Sequence, residues 1–206
     1  MAAIIGNYCY RSRILAFLKT SEADWLAIMV KNYPRVCDHE LTLSQINAWK
    51  DCFNSLQGAL GKLPVSFSKL QIVFEYCLPP YKKRPDVLIV GADTVVVLEF
   101  KQDMHFPDGA IRQIRKYKKL IQGYHEASRG KRKKAVLVFT DQVNLNEKKY
   151  RVICCSPDEL TGILVDIFGD RPAFLTRAEA KQWVHSGFST ESTETAERMR
   201  AQTFDK

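Results

Sequence analysis

Two apolar runs meet across a small-residue turn in residues 84–101, RPDVLIVGADTVVVLEFK. Residues 87–90 and 95–98 are short, rich in β-branched side chains and bounded by turn formers. They read as buried strands joined at Gly91-Ala92-Asp93-Thr94. A hairpin centred between Ala92 and Asp93 puts Val87 opposite Leu98 and, one step outward, Asp86 opposite Glu99. Arg84 then falls opposite Lys101. Glu99 and Lys101 share a face, because side chains alternate along a strand. The hairpin therefore gathers four charged residues at one end of an otherwise apolar unit. Two carboxylates directly across a ladder repel each other. A proton on one of them, neighbouring cations or a divalent metal can relieve that repulsion. A salt-bridged sheet rim, with Asp86 and Glu99 sharing Arg84 and Lys101, meets the same requirement without any function.

The surrounding pattern is α/β. Ser21 followed by Glu22 and Asp24 reads as a capped helix start, and Pro34 as the end of that helix. Residues 11–20 read as a short helical patch. A second helix begins at Thr42 or Ser44 and carries Ile46, Trp49, Phe53, Leu56 and Leu60 at helical spacing up to Gly61. A strand over 69–78 follows, then the hairpin. Ile111, Ile114, Tyr117, Leu120 and Ile121 mark a helix, 135–140 a strand, 150–155 another strand, and 157–168 a helix. The fold class expected is α/β, with a mixed central sheet flanked by helices. Three regions are expected: an N-terminal helical extension over 1–40, a domain over 41–169, and a polar C-terminal tail or helix over 170–206. Trp25, Trp49 and Trp183 read as packing residues. Tyr76 and Tyr81 flank the charged cluster and could stack on bases or be structural. His105 reads as a loop residue.

The 206 residues carry a net charge of +8. That balance favours a polyanionic partner. It is also unevenly distributed. Residues 112–134 hold ten basic side chains and one acid, Glu126. Arg112, Arg115, Lys116, Lys119, Lys131, Arg132, Lys133 and Lys134 are the candidate nucleic-acid contacts, since a one-sided run of this kind supplies phosphate affinity. None of the six cysteines forms a C-x-x-C pair, so a zinc ribbon is not expected and the thiols read as small buried residues. Residues 1–13 have no long apolar core of a signal peptide, and no stretch approaches the roughly 18 apolar residues of a membrane span. The expectation is a cytoplasmic protein without membrane contact. Carboxylates able to hold Mg2+, a lysine beside them and a basic helix together suggest phosphodiester hydrolysis. Glu75, in the strand before the hairpin, could add a third carboxylate.

These residues resemble a known signature. Pro85-Asp86 followed by Glu99-Phe100-Lys101 is similar to the PD-(D/E)xK motif of a nuclease superfamily, and Gln113 with Tyr117 resembles the Q-x-x-x-Y motif of its RecB-like branch. The segments INAWKDCFNSLQGAL, IVFEYCLPPYKKRPDVLIVG and VVVLEFKQ most resemble the nuclease-like domain at the N-terminus of Schlafen group 3-like bacterial helicases. The resemblance covers roughly residues 40–140 and implies a restriction-endonuclease-like αβββαβ core. It implies Asp86, Glu99 and the Phe100 carbonyl as metal ligands, Lys101 as the catalytic lysine and Glu75 as the upstream acid. Gln113 and Tyr117 would orient the site or contact nucleic acid. The implied cofactor is Mg2+, with Mn2+ able to substitute. The implied activity is that of a DNA endonuclease, with DNA favoured over RNA, in phage defence or DNA processing, acting as a homodimer or with a helicase partner. The family branch continues into a helicase, yet no G-x-x-x-x-G-K-[ST] occurs here. A catalytically weak nucleic-acid-binding or partner-docking module, or a regulatory piece of a larger helicase-type assembly, stays open beside the nuclease.

Overall fold

A computed structural model describes residues 7–78, 82–102 and 108–187. Seven strands form one mixed sheet: β1 Tyr10–Arg13, β2 Gln71–Phe74, β3 Val87–Val90, β4 Thr94–Lys101, β5 Arg132–Phe139, β6 Asn146–Lys149 and β7 Val152–Cys155, in the order β1-β2-β3-β4-β5-β7-β6. The first four strands pair antiparallel. β4–β5 and β5–β7 are parallel, and β6 runs antiparallel on the outer edge. The hairpin register is the expected one, with Val87 opposite Leu98 and Val90 opposite Val95.

Helices α1 Ile14–Leu18, α2 Glu22–Val36, α3 Leu43–Leu60 and α5 Leu160–Phe168 contribute to one core. Helices α4 Asp108–Tyr124 and α6 Arg177–Val184 contribute to the other. β3 is buried on both faces, and so is β4 up to Leu98, which is why both read as unbroken apolar runs rather than alternating ones. The parallel step from β4 to β5 needs a long crossover, and α4 supplies it. Ser21 and Thr42 cap α2 and α3, each accepting from the backbone N–H three residues on. Among the described residues no helix is long and apolar enough to cross a membrane.

Several local expectations give way to packing. α2 does not stop at Pro34 but runs on to Val36. The Tyr33 ring is buried against Trp49, with centroids 5.3 Å apart, and that contact holds the last turn in place despite the proline. Residues 10–13 are an edge strand rather than part of a helix, because β2 offers them a ladder. β2 ends at Phe74, since Glu75 adopts φ +49° and breaks the alternation. β6 carries no apolar signal at all: Asn-Glu-Lys-Lys is the polar edge that a sheet uses against unwanted pairing. Cys154 and Cys155 point into opposite cores, and all six cysteines are free thiols. Of the polar tail or helix expected over 170–206, residues 170–187 are described, and Leu175, Ala180, Trp183 and Val184 are buried in the core that α4 shares. Residues 188–206 lie outside the described residues, as do Tyr81 and His105.

α6 is fastened by a buried polar network. His125 Nε2 lies 3.1 Å from both the Tyr76 hydroxyl and the Trp183 carbonyl. Its Nδ1 is 2.7 Å from Ser128 Oγ, which also accepts from Trp183 Nε1 at 3.1 Å. A neutral imidazole with its proton on Nε2 satisfies these contacts. Tyr76 is thereby committed to the core and does not face a ligand. Burial, followed by the charges of Lys133 and Lys131, pushes His125 down to about 4. The unfolded chain therefore takes up a proton that the native one refuses, and His125 lowers stability as pH falls from about 6.5 to about 4. The cost across that window is about 3 kcal/mol. Denaturant unfolding at a series of pH values is expected to give a shallower loss over this window in His125→Gln than in the native chain.

Candidate active site

The site forms where the β3–β4 hairpin runs out. Gly91 N–H donates to the Thr94 carbonyl at 2.8 Å, so the hydrogen-bonded pairs alternate outward from there through 89–96 and 87–98. The next such pair would be Pro85 with Phe100. Proline has no N–H, so the Phe100 carbonyl loses its ladder donor. The Phe100 N–H is taken instead by Asp86 Oδ2, at 2.8 Å. Within a strand both backbone groups of Phe100 face β3, so its carbonyl opens on the side where the Asp86 carboxylate lies.

Glu99 is 1% exposed. Its Oε1 accepts from Lys101 Nζ at 3.1 Å and from Gln113 Nε2 at 2.8 Å. Gln113 Nε2 also lies 2.7 Å from the Tyr117 hydroxyl, so the two residues of the Q-x-x-x-Y spacing, one helical turn apart on α4, act on Glu99 together. Glu99 Oε2 is buried and, among the described residues, has no hydrogen-bond partner. Such an atom is costly unless a cation or a proton meets it.

Glu75 is held differently. Its left-handed backbone turns the carboxylate toward α3, where Trp49 Nε1 donates to Oε1 at 2.9 Å. Arg84 Nε donates to Oε2 at 3.0 Å. Both oxygens are thus engaged, and among the described residues no set of three His, Cys, Asp or Glu side chains comes together as a metal cage. Glu75 is a wall of the site rather than a third ligand. Of the salt-bridged rim, the Lys101–Glu99 pair is formed, but Arg84 is diverted to Glu75 and Asp86 takes a backbone amide. Trp49 read as a packing residue. The available signal was that a buried indole N–H needs an acceptor.

The electrostatics follow from burial. Burial and the neighbouring Asp86 charge hold Glu99 well above the ordinary carboxylate range, against the pull of Lys101. Burial also raises Asp86, with the Phe100 N–H and Lys101 acting against it. Glu75 is pushed up to about 7 by burial and by Asp86. For Lys101, burial works to lower the value, but Glu99 and Asp86 outweigh it and the ammonium is retained. All these groups line one cleft of about 470 Å3, whose rim includes Lys82, paired with Asp38, and Lys83.

The structure splits the basic run of the sequence. Arg112, Arg115, Lys116 and Lys119 are exposed on α4, the helix that carries Gln113. Residues 131–134 lie at the far end of the sheet, since Arg132 pairs with Thr94 and Phe139 with Lys101. Seven strand residues separate those ends, about 20 Å. There Lys131 donates to the Ala92 carbonyl, Lys133 to the Ser128 carbonyl, and Arg132 pairs with Asp93 at 3.6 Å. These three fasten the β5 entry and do not border the cleft.

Comparison with protein-family models, curated proteins and solved structures finds no match to this chain. Two carboxylates, one of them with an orphaned buried oxygen, and a backbone carbonyl stripped of its ladder donor fit Mg2+. That ion takes one or two carboxylates and keeps several waters.

Without metal, Glu99→Gln is expected to stabilise the fold by about 1–3 kcal/mol at mildly alkaline pH, the usual cost of an unsatisfied buried polar group. The raised carboxyl gives stability while it holds its proton and loses that contribution as pH rises. The advantage of the amide should therefore fade as pH falls into the ordinary carboxylate range. Mg2+ is expected to raise the melting temperature of the native chain and leave Glu99→Gln unmoved.

Proposed function

We propose that this chain is a metal-dependent nuclease that hydrolyses phosphodiester bonds, with DNA as the substrate. The observation that carries the reading is the buried Glu99 carboxylate, with one oxygen held by Lys101 and Gln113 and the other without a partner among the described residues. A purely structural carboxylate would be expected to have both oxygens satisfied. Further support comes from the element order α3-β2-β3-β4-α4-β5, which agrees with the αβββαβ restriction-endonuclease-like core that the PD-(D/E)xK resemblance implies.

In this reading Asp86, Glu99 and the Phe100 carbonyl would hold Mg2+, for which Mn2+ could substitute. Such an ion would supply Lewis-acid polarisation of the phosphoryl group and a water of lowered pKa. The chain supplies the rest. Lys101 keeps its proton beside Glu99, and its ammonium would orient the attacking water and meet charge that develops on the phosphate. Gln113, braced by Tyr117, fixes which Glu99 oxygen is engaged and leaves the other for the metal. Glu75 and Arg84 form the opposite wall, with Arg84 a charge toward which the substrate backbone can turn. The exposed cations of α4 contribute phosphate affinity. Defence against phage or DNA processing, as a homodimer or beside a helicase, is the setting that the resemblance implies.

The test is cleavage of single- and double-stranded DNA and of RNA with Mg2+, Mn2+ or EDTA. The native chain is expected to cut DNA only with metal. Glu99→Gln and Lys101→Ala are expected to lower the rate by about 10²–10³-fold or more. Gln113→Ala should cost less, and partial activity is expected to remain. Tight, metal-independent binding without turnover in the native chain would overturn the reading in favour of a docking module.

A further inference from the structure

The turn between β6 and β7 is built against its own backbone preference. Lys149 pairs with Val152, so Tyr150 and Arg151 alone make the loop, and their φ angles are +51° and +64°. Two left-handed residues in a two-residue hairpin form a type I′ turn, a position that Asn-Gly fits without strain. A tyrosine there is a conformational outlier. Packing does not account for it, because Tyr150 is 62% exposed.

What surrounds the ring is cationic. The Arg115 guanidinium of α4 lies 6.0 Å from the ring centroid and the Lys149 ammonium 5.9 Å from it. Lys118, on the same side of α4 one turn on, is held below its ordinary value by burial and then by Lys134, Arg151 and Arg115. Like charges crowded to that degree repel, and a polyanion laid across them relieves the repulsion. The nearest acid along β6 is Glu147, two residues before Lys149.

We infer that the β6–β7 hairpin tip is a docking platform for an unpaired nucleic-acid strand: Tyr150 stacks on a base while Arg115, Lys118, Lys149 and Arg151 meet the flanking phosphates. An exposed aromatic face framed by cations is how proteins hold single strands without regard to sequence. In a duplex the bases already stack on each other and offer the ring no face. The platform deepens the nuclease reading and rests on it for the identity of the ligand. Arg115 follows Gln113 by two residues, which places it on the other flank of α4 from the Glu99 brace. A strand held at Tyr150 would cross the outer face of α4, past Arg112 and Lys116, to reach the cleft. The strained tyrosine is then kept for binding at the expense of the turn.

The test is fluorescence anisotropy of labelled single-stranded and duplex DNA with the full chain in EDTA, so that cleavage does not interfere. Tyr150→Ala is expected to weaken single-strand binding ~5- to 100-fold, the range of one lost stack, and to change duplex binding little. Tyr150→Trp should keep the affinity. Tyr150→Asn should lose affinity as alanine does while raising the melting temperature, because asparagine suits the turn. That combination separates lost binding from lost folding. Equal single-strand affinity in Tyr150→Ala and the native chain overturns the platform, and metal-dependent cleavage by the same native preparation would leave the nuclease reading standing. A native chain that neither binds single strands nor cleaves would overturn both.

Discussion

The Asp86 carboxylate accepting the Phe100 N–H is the bond on which the site depends. It substitutes a side chain for a rung of the ladder at the point where β4 leaves its antiparallel partner and continues beside its parallel one. Because β4 lies mid-sheet, the acid that follows Leu98 is carried into the interior with its neighbours. Glu99 is buried by topology, and the rest of the cleft reads as a response to that burial: Lys101 and Gln113 on one oxygen, Tyr117 behind Gln113, and Arg84 turned away to serve Glu75.

The N-terminal helices are part of that response. Trp49 of α3 donates to Glu75, and Tyr33 of α2 packs on Trp49 and under the Arg84 guanidinium, 5.2 Å from its ring. A chain of contacts thus runs from the α2 C-terminus through the indole to the wall of the cleft. The last turn of α2, continued past Pro34, exists where this chain begins.

Much of the site was legible because it is built from local, periodic structure. A short turn between two apolar runs determines a hairpin register, and the register alone puts Asp86 opposite Glu99. Helical spacing brings Gln113 and Tyr117 to one face. What was not legible depends on longer range or on departures from periodicity. Glu75 was expected to extend its strand, but a single left-handed residue turned its carboxylate to another layer. Residues 131–134 looked contiguous with the α4 cations, yet the parallel crossover carries the chain back along the sheet before β5 begins. β6 has only charged and polar side chains and becomes a strand because β7 needs a partner. α6 is short and half of its residues are polar, and the partners that keep Trp183 in the core, Ser128 on its indole N–H and the Tyr76 and His125 rings beside it, come from distant parts of the chain.

Pro85 contributes through what it lacks. Most residues enter a site by adding a group, but this one leaves a lone pair uncommitted by withholding a hydrogen. An alanine at the same position would fill nearly the same space and could keep the strand geometry. It would also bring back the N–H that the ladder expects, and the Phe100 oxygen would then have a protein donor competing with whatever cation approaches it. A substitution that looks mild by volume would therefore close off an open lone pair without touching the residue that carries it.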